Sequence, residues 1–113
     1  MGRRLDHSYI QLYDVPVRFT WDPRKSERNL RKRGFDFAYA ARIFERRTLE
    51  QVDTRRDYGE RRVVALGAVV DIGLTVVYTD RAGADGVTER RIISARVSSR
   101  HERTIYQQIT DQA

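Results

Sequence analysis

A chain of 113 residues with a formal charge of +6, a pI near 10.2 and no cysteine fits one small domain. The lack of cysteine excludes a disulfide framework, a thiol nucleophile and a zinc–cysteine site, and it suits a reducing cytoplasm. No apolar run approaches the ~18 residues of a membrane span, and the first residues, MGRRLDHSYIQLYDVPV, carry two arginines but no apolar stretch of the kind a signal peptide needs.

Residues 1–15 read as an N-terminal extension and residues 16–110 as a single domain. Val17 to Trp21 is a predicted strand. Asp22 is a good N-cap and Pro23 a good first helical residue, so a helix starts there and stops at Gly34. A second helix starts near Asp36, with Phe37, Ala40, Ala41 and Phe44 recurring at three and four. Thr48 to Asp53 is a weak strand, and Asp57-Tyr58-Gly59 reads as a turn. Arg61 to Leu66 and Gly73 to Thr79 are strands rich in β-branched residues and tyrosine. AGADG, residues 82–86, is a hairpin loop, and Glu89 to Val97 is the last strand. Ser99 and Glu102 stand in the relation of a capping box, which starts a final helix over Arg100 to Gln108. The order is β-α-α-β-β-β-β-α. Short links between successive strands imply a small, largely antiparallel sheet with two helices before it and one after, an α+β domain.

The basic residues have a pattern. Of the 22, only Lys25 and Lys32 are lysines. Arginine's planar fork suits phosphate, although codon usage in a GC-rich genome yields the same excess. A net positive charge on a small domain points to nucleic acid or to an acidic partner. In the first helix Pro23, Ser26 and Leu30 make a thin apolar face, with Leu30 expected to rest on the sheet. Lys25, Arg28, Asn29 and Lys32 lie opposite, with Arg33 at the border. Such a stripe is commonly just a solvated face. Here Glu27 is the helix's single acid, so little offsets the repulsion. In the last strand simple alternation puts Arg90, Ile92, Ser94 and Arg96 on one side and Arg91, Ile93 and Ala95 on the other.

Read in order, the motifs are F-x-W-D-x-x-K-x-x-x-N-x-x-K-x-G-F-x-F from Phe19, then Y-G-E-R-R from Tyr58, V-V-Y-T-x-R ending at Arg81, R-I-I-S-A-R from Arg91, and Glu102 with Tyr106 in the last helix. This series, spanning residues 19–106, resembles the BrnT toxin family, whose members pair with BrnA antitoxins in bacterial type II toxin–antitoxin operons. The resemblance implies a RelE-like fold and a metal-independent, cytoplasmic endoribonuclease. It also implies a BrnA-like antitoxin that neutralises the toxin and contacts operator DNA through its own DNA-binding half. The family reads K-H-G after the first helix, whereas this chain has Lys32-Arg33-Gly34. A non-catalytic or degenerate homologue that binds nucleic acid and regulates its operon is the alternative reading.

RNA carries its own nucleophile, the 2′-hydroxyl, so cleavage needs positioning, proton transfer and charge stabilisation, with no metal or other cofactor. The acids are scattered, and neither His7 nor His101 has a metal-ligand spacing. Arg96 and Arg61 are the expected phosphate ligands, with Arg81 in support. Lys25 or Lys32 is the expected base, and Arg33 stabilises charge on the phosphorane. Trp21, Arg28, Asn29, Ser94 and Arg91 complete the expected RNA-binding set, with Trp21 stacking on a base or else packing in the core. Tyr78 reads as core and Asp22 as a cap.

Overall fold

The computed structural model describes the backbone of residues 10–12 and 17–111 and the side chains of residues 17–110. Its strands are β1 (Ile10–Leu12), β2 (Val17–Trp21), β3 (Thr48–Val52), β4 (Val63–Val69), β5 (Ile72–Ala82) and β6 (Thr88–Val97). The helices are α1 (Pro23–Arg33), α2 (Phe37–Ala40), which runs on into a 3₁₀ turn (Ala41–Glu45), and α3 (Arg100–Asp111). The predicted α+β order is therefore observed, with one added strand: β1 comes from the stretch read as an extension. It pairs antiparallel with β3, so the "weak" strand β3 is flanked on both sides.

The six strands lie in the order β1-β3-β4-β5-β6-β2. All neighbours are antiparallel except β2, which runs parallel to β6 along one edge. This register places α1. Trp21, the last residue of β2, sits opposite Ile92, and the chain then turns through Asp22 into α1 beside the middle of β6. Asp22 Oδ1 accepts from Arg24 N at 2.9 Å, which caps α1. Gly34 ends the helix at φ +88°, a left-handed conformation that glycine adopts without a Cβ penalty.

One face of the sheet, the core face, packs Ala65, Val69, Leu74, Val76, Tyr78, Ile92 and Ala95 against Phe37, Ala40 and Ile43. Burying each large apolar side chain contributes about 1.5–3 kcal/mol. On the opposite face α3 covers one end, where Thr75 Oγ1 donates to Glu102 Oε1 at 3.0 Å and Tyr106 Oη to the carbonyl of Arg47 at 2.8 Å. The rest of that face, toward β2 and α1, is not covered by α3.

Two local expectations need correction. The strand predicted over Arg61 to Leu66 is Val63–Val69, so Arg61 and Arg62 belong to the preceding loop. The strand runs on through Gly67, against which Ile43 of the 3₁₀ turn packs. The simple alternation of β6 also fails. Val77 pairs with Ser94 and Tyr78 with Ile92, which leaves Ile93 without a partner in a β-bulge. Arg90 and Ile92 therefore face the core with Tyr78 and Asp80. Arg91, Ser94 and Arg96 share the opposite face with Thr79, Val77 and Thr75.

A Cβ on residue 67 would stand 2.7 Å from the Ile43 Cβ, inside van der Waals contact. Gly67→Ala is expected to cost about 1–3 kcal/mol by overpacking, read as a lower urea midpoint with an unchanged slope. An unchanged midpoint would contradict this packing.

Candidate functional site

α1 is held by a residue that looked incidental in the sequence. Ser26, buried at 7% exposure, accepts a hydrogen bond from the Phe37 backbone N at 2.9 Å. Leu30, the expected anchor, is 47% exposed. The amide of Phe37 starts α2 and needs an acceptor, and Ser26 supplies it. This docking turns the basic stripe toward the sheet rather than away from it. Lys25, Arg28, Asn29, Lys32 and Arg33 line a groove of about 180 Å³ whose other wall is Phe37, Ile93 and Ser94.

 The wall's apolar members come from the bulge and from the start of α2. Asn29, expected to bind RNA, uses its side-chain Nδ2 to donate to the Phe35 carbonyl at 2.9 Å, which fixes the turn that follows α1.

Lys25 is the electrostatic centre of this groove. Burial is the largest influence lowering its pKa below the ordinary 10.5, followed by the positive charges of Arg91 and Arg62. Arg28 pushes the same way and Asp22 opposes. Three segments thus meet around one ammonium: α1, the exposed face of β6 and the loop before β4. Among the described residues, Lys25, Arg28, Lys32, Arg33 and Arg91 form no ion pair with a carboxylate.

The other expected residues lie in different settings. Ser94 is exposed in the groove wall. Arg61 is exposed, and its carbonyl accepts from Thr79 Oγ1 at 2.8 Å, which ties the loop to the sheet opposite Arg91. Arg81 is exposed near the far end of β5, opposite Glu89. Trp21 packs against the core cluster from β2, on the face of Ile92. Arg96 forks onto Glu102, with Nη1 to Oε1 at 2.7 Å and Nη2 to Oε2 at 2.8 Å. Glu102 also accepts from Thr75 Oγ1 and from Ser99 N, which completes the predicted capping box. Arg96, above all, holds the Glu102 carboxyl down from 4.5 to about 2.

Two groups escaped the sequence reading. Arg90, 5% exposed, forks onto Asp80 with both contacts at 2.9 Å and lies 4.0 Å from the centre of the Tyr78 ring. The Tyr78 hydroxyl donates to Glu50, which also accepts from Thr48 Oγ1 at 2.7 Å. This network satisfies buried charge inside the core, and Tyr78 is a core residue as expected. The second group surrounds Tyr58, whose ring lies 4.2 Å from the Arg62 guanidinium. The sequence signals there were a turn and the Y-G-E-R-R motif, neither of which marks a stacking centre.

The Glu102 pKa is depressed in the folded chain, so its stabilisation is fully present above the unfolded value of 4.5 and is lost as pH falls toward about 2. Thermal melts of wild type and Glu102→Gln are expected to differ most above pH 4.5 and to converge as pH approaches 2. A difference that does not change with pH would contradict the ion pair.

No curated protein matches the chain. The family model described as "Ribonuclease toxin, BrnT, of type II toxin-antitoxin system" matches residues 21–102, which include α1, the groove and Glu102. The chain belongs to the BrnT family of ribonuclease toxins of type II toxin–antitoxin systems.

Proposed function

We propose that the chain is a metal-independent endoribonuclease whose reaction centre is the groove between α1 and β6. The observation that carries this reading is the set of unpaired cations around Lys25. Like charges gathered without carboxylate partners repel, and an anion lying across them relieves the repulsion. A phosphodiester backbone supplies such an anion with regular spacing.

In this reading Lys25, with its lowered pKa, takes the proton of the ribose 2′-hydroxyl. The 2′-oxygen attacks phosphorus while the bond from phosphorus to the 5′-oxygen breaks. Lys32 in the same groove gives that 5′-oxygen its proton. The products are a 2′,3′-cyclic phosphate and a 5′-hydroxyl. Arg91, Arg28 and Arg33 stabilise the charge on the phosphorane, with Ser94 in the wall and Arg61 and Arg81 along the path of the strand. Arg96 reaches phosphate only by exchanging Glu102 for it, so its role is secondary to that of Arg91. The neutralising partner is a BrnA-like antitoxin, with an acidic segment that occupies the groove and pairs with these cations.

A second reading has one specific feature in its favour: Arg33 stands where the family resemblance expects histidine. Arginine does not exchange a proton near neutral pH, which fits a homologue that binds RNA without cutting it. A cleavage assay in EDTA separates the two readings. Wild type is expected to cut RNA, and Lys25→Met to lose about 10²-fold or more in rate. The rate is expected to rise with pH as Lys25 deprotonates. Arg91→Ala removes a charge that lowers this pKa, so it shifts the rising limb to higher pH. No cutting by wild type, with activity gained by Arg33→His, would favour the binding homologue. Full activity in Lys25→Met would remove Lys25 from the mechanism.

A further inference from the structure

The loop between β3 and β4 has no regular secondary structure, yet its side chains interlock. The Asp53 carboxylate, 2% exposed, accepts from Arg55 Nε at 2.9 Å and Nη2 at 2.8 Å. The Tyr58 hydroxyl donates to the same carboxylate at 3.1 Å, so both ends of the tyrosine side chain are anchored. The Arg62 guanidinium lies 4.2 Å from the ring centre, with its Nε 3.0 Å from Glu60. Arg56 stands 5.7 Å from the same ring and has no carboxylate partner among the described residues. Arg55, Arg56, Tyr58 and Arg62 line an open cleft of about 440 Å³.

The position of the cleft matters as much as its lining. Arg62 is close enough to Lys25 to help lower its pKa, and Arg55 is close enough to Arg96 to oppose the rise that Glu102 causes there. The cleft therefore adjoins the basic surface on both sides. The rings of Phe19, Trp21, Phe35, Phe37, Tyr39, Phe44 and Tyr78 all belong to the core cluster or pack against it. Tyr106 is tied to the carbonyl of Arg47 under α3. Tyr58 is outside that cluster and offers its ring to the basic cleft. A staple for the loop would need one guanidinium on the ring. It would not need a second, unpaired one beside an open cleft.

We propose that this cleft is a nucleotide subsite: one base of a single-stranded RNA, next to the cleaved bond, stacks on the layer formed by Tyr58 and Arg62, and its phosphate lies on Arg56. The proposal rests on the ribonuclease reading above. Aromatic rings and guanidinium planes both stack on nucleobases, and they do so with little regard to sequence. A subsite of this kind holds the strand so that the neighbouring phosphate lies in the Lys25 groove.

The test is binding of a fluorescent 2′-O-methyl oligonucleotide, which lacks the attacking hydroxyl and is not cut, to the full chain at several salt concentrations. Tyr58→Leu is expected to weaken binding about tenfold, while Tyr58→Phe, which keeps the ring, stays within about twofold. Arg56→Ala is expected to weaken binding several-fold and to reduce the salt slope by about one. If Tyr58→Leu fails to fold, as read by circular dichroism, the exposed and unpaired Arg56 decides the matter alone. Wild-type affinity in both Tyr58→Leu and Arg56→Ala would overturn the subsite and leave the ribonuclease reading standing. Equal losses in Tyr58→Phe and Tyr58→Leu would also overturn it, because the bond to Asp53 rather than the ring would then matter. If wild type does not bind at low salt, both readings fall together.

Discussion

The unpaired residue in β6 decides which side chains face the site. A strand alternates strictly, so one inserted residue reverses the facing of everything beyond it. With Ile93 inserted, Arg90 turns into the core and Arg91 turns out, onto the face of Ser94 and Arg96. The consequences run in two directions. Inside, Arg90 finds Asp80 across the hairpin and lies against Tyr78 and Phe44, which are already packed together. Outside, Arg91 comes close enough to Lys25 to lower its pKa, and Ile93 forms part of the apolar wall on which α1 rests.

Pairing then sorts the arginines by use. Three that meet a carboxylate hold the fold together: Arg90 with Asp80 in the core, Arg96 with Glu102 at the start of α3, and Arg55 with Asp53 in the loop. Exposed pairs such as Arg31 with Glu27 contribute little, since solvent screens them. Of the cations without a carboxylate partner among the described residues, Lys25, Arg28, Lys32, Arg33 and Arg91 gather at one seam. Net charge alone does not reveal this grouping; the placement of the carboxylates does.

Much of the fold was legible because its signals are local. Asp22-Pro23 and Gly34 set the ends of α1, and Ser99 with Glu102 set the start of α3, each within a few residues of chain. The site was less legible because its signals are long-range. The paired isoleucines Ile92-Ile93 were the one hint of a bulge, but register depends on the partner strand β5. Ser26 holds α1 through a bond to Phe37, eleven positions away, so the apolar Leu30 was the natural but mistaken choice of anchor. Arg96 looked free in the strand, and only the docking of α3 brings Glu102 to it. Tyr58 read as a turn because neither Asp53 nor Arg62 marks it as a stacking centre in sequence. The BrnT family was recognisable from motif order, which depends on none of these contacts.

The chain has only two lysines, so NMR titration of the lysine side chains reads Lys25 directly. If unpaired cations gather around a partly buried Lys25, its ammonium titrates below 10.5 and moves upward in Arg91→Ala. A Lys25 that titrates at or above 10.5, and does not respond to the loss of Arg91, would contradict the account.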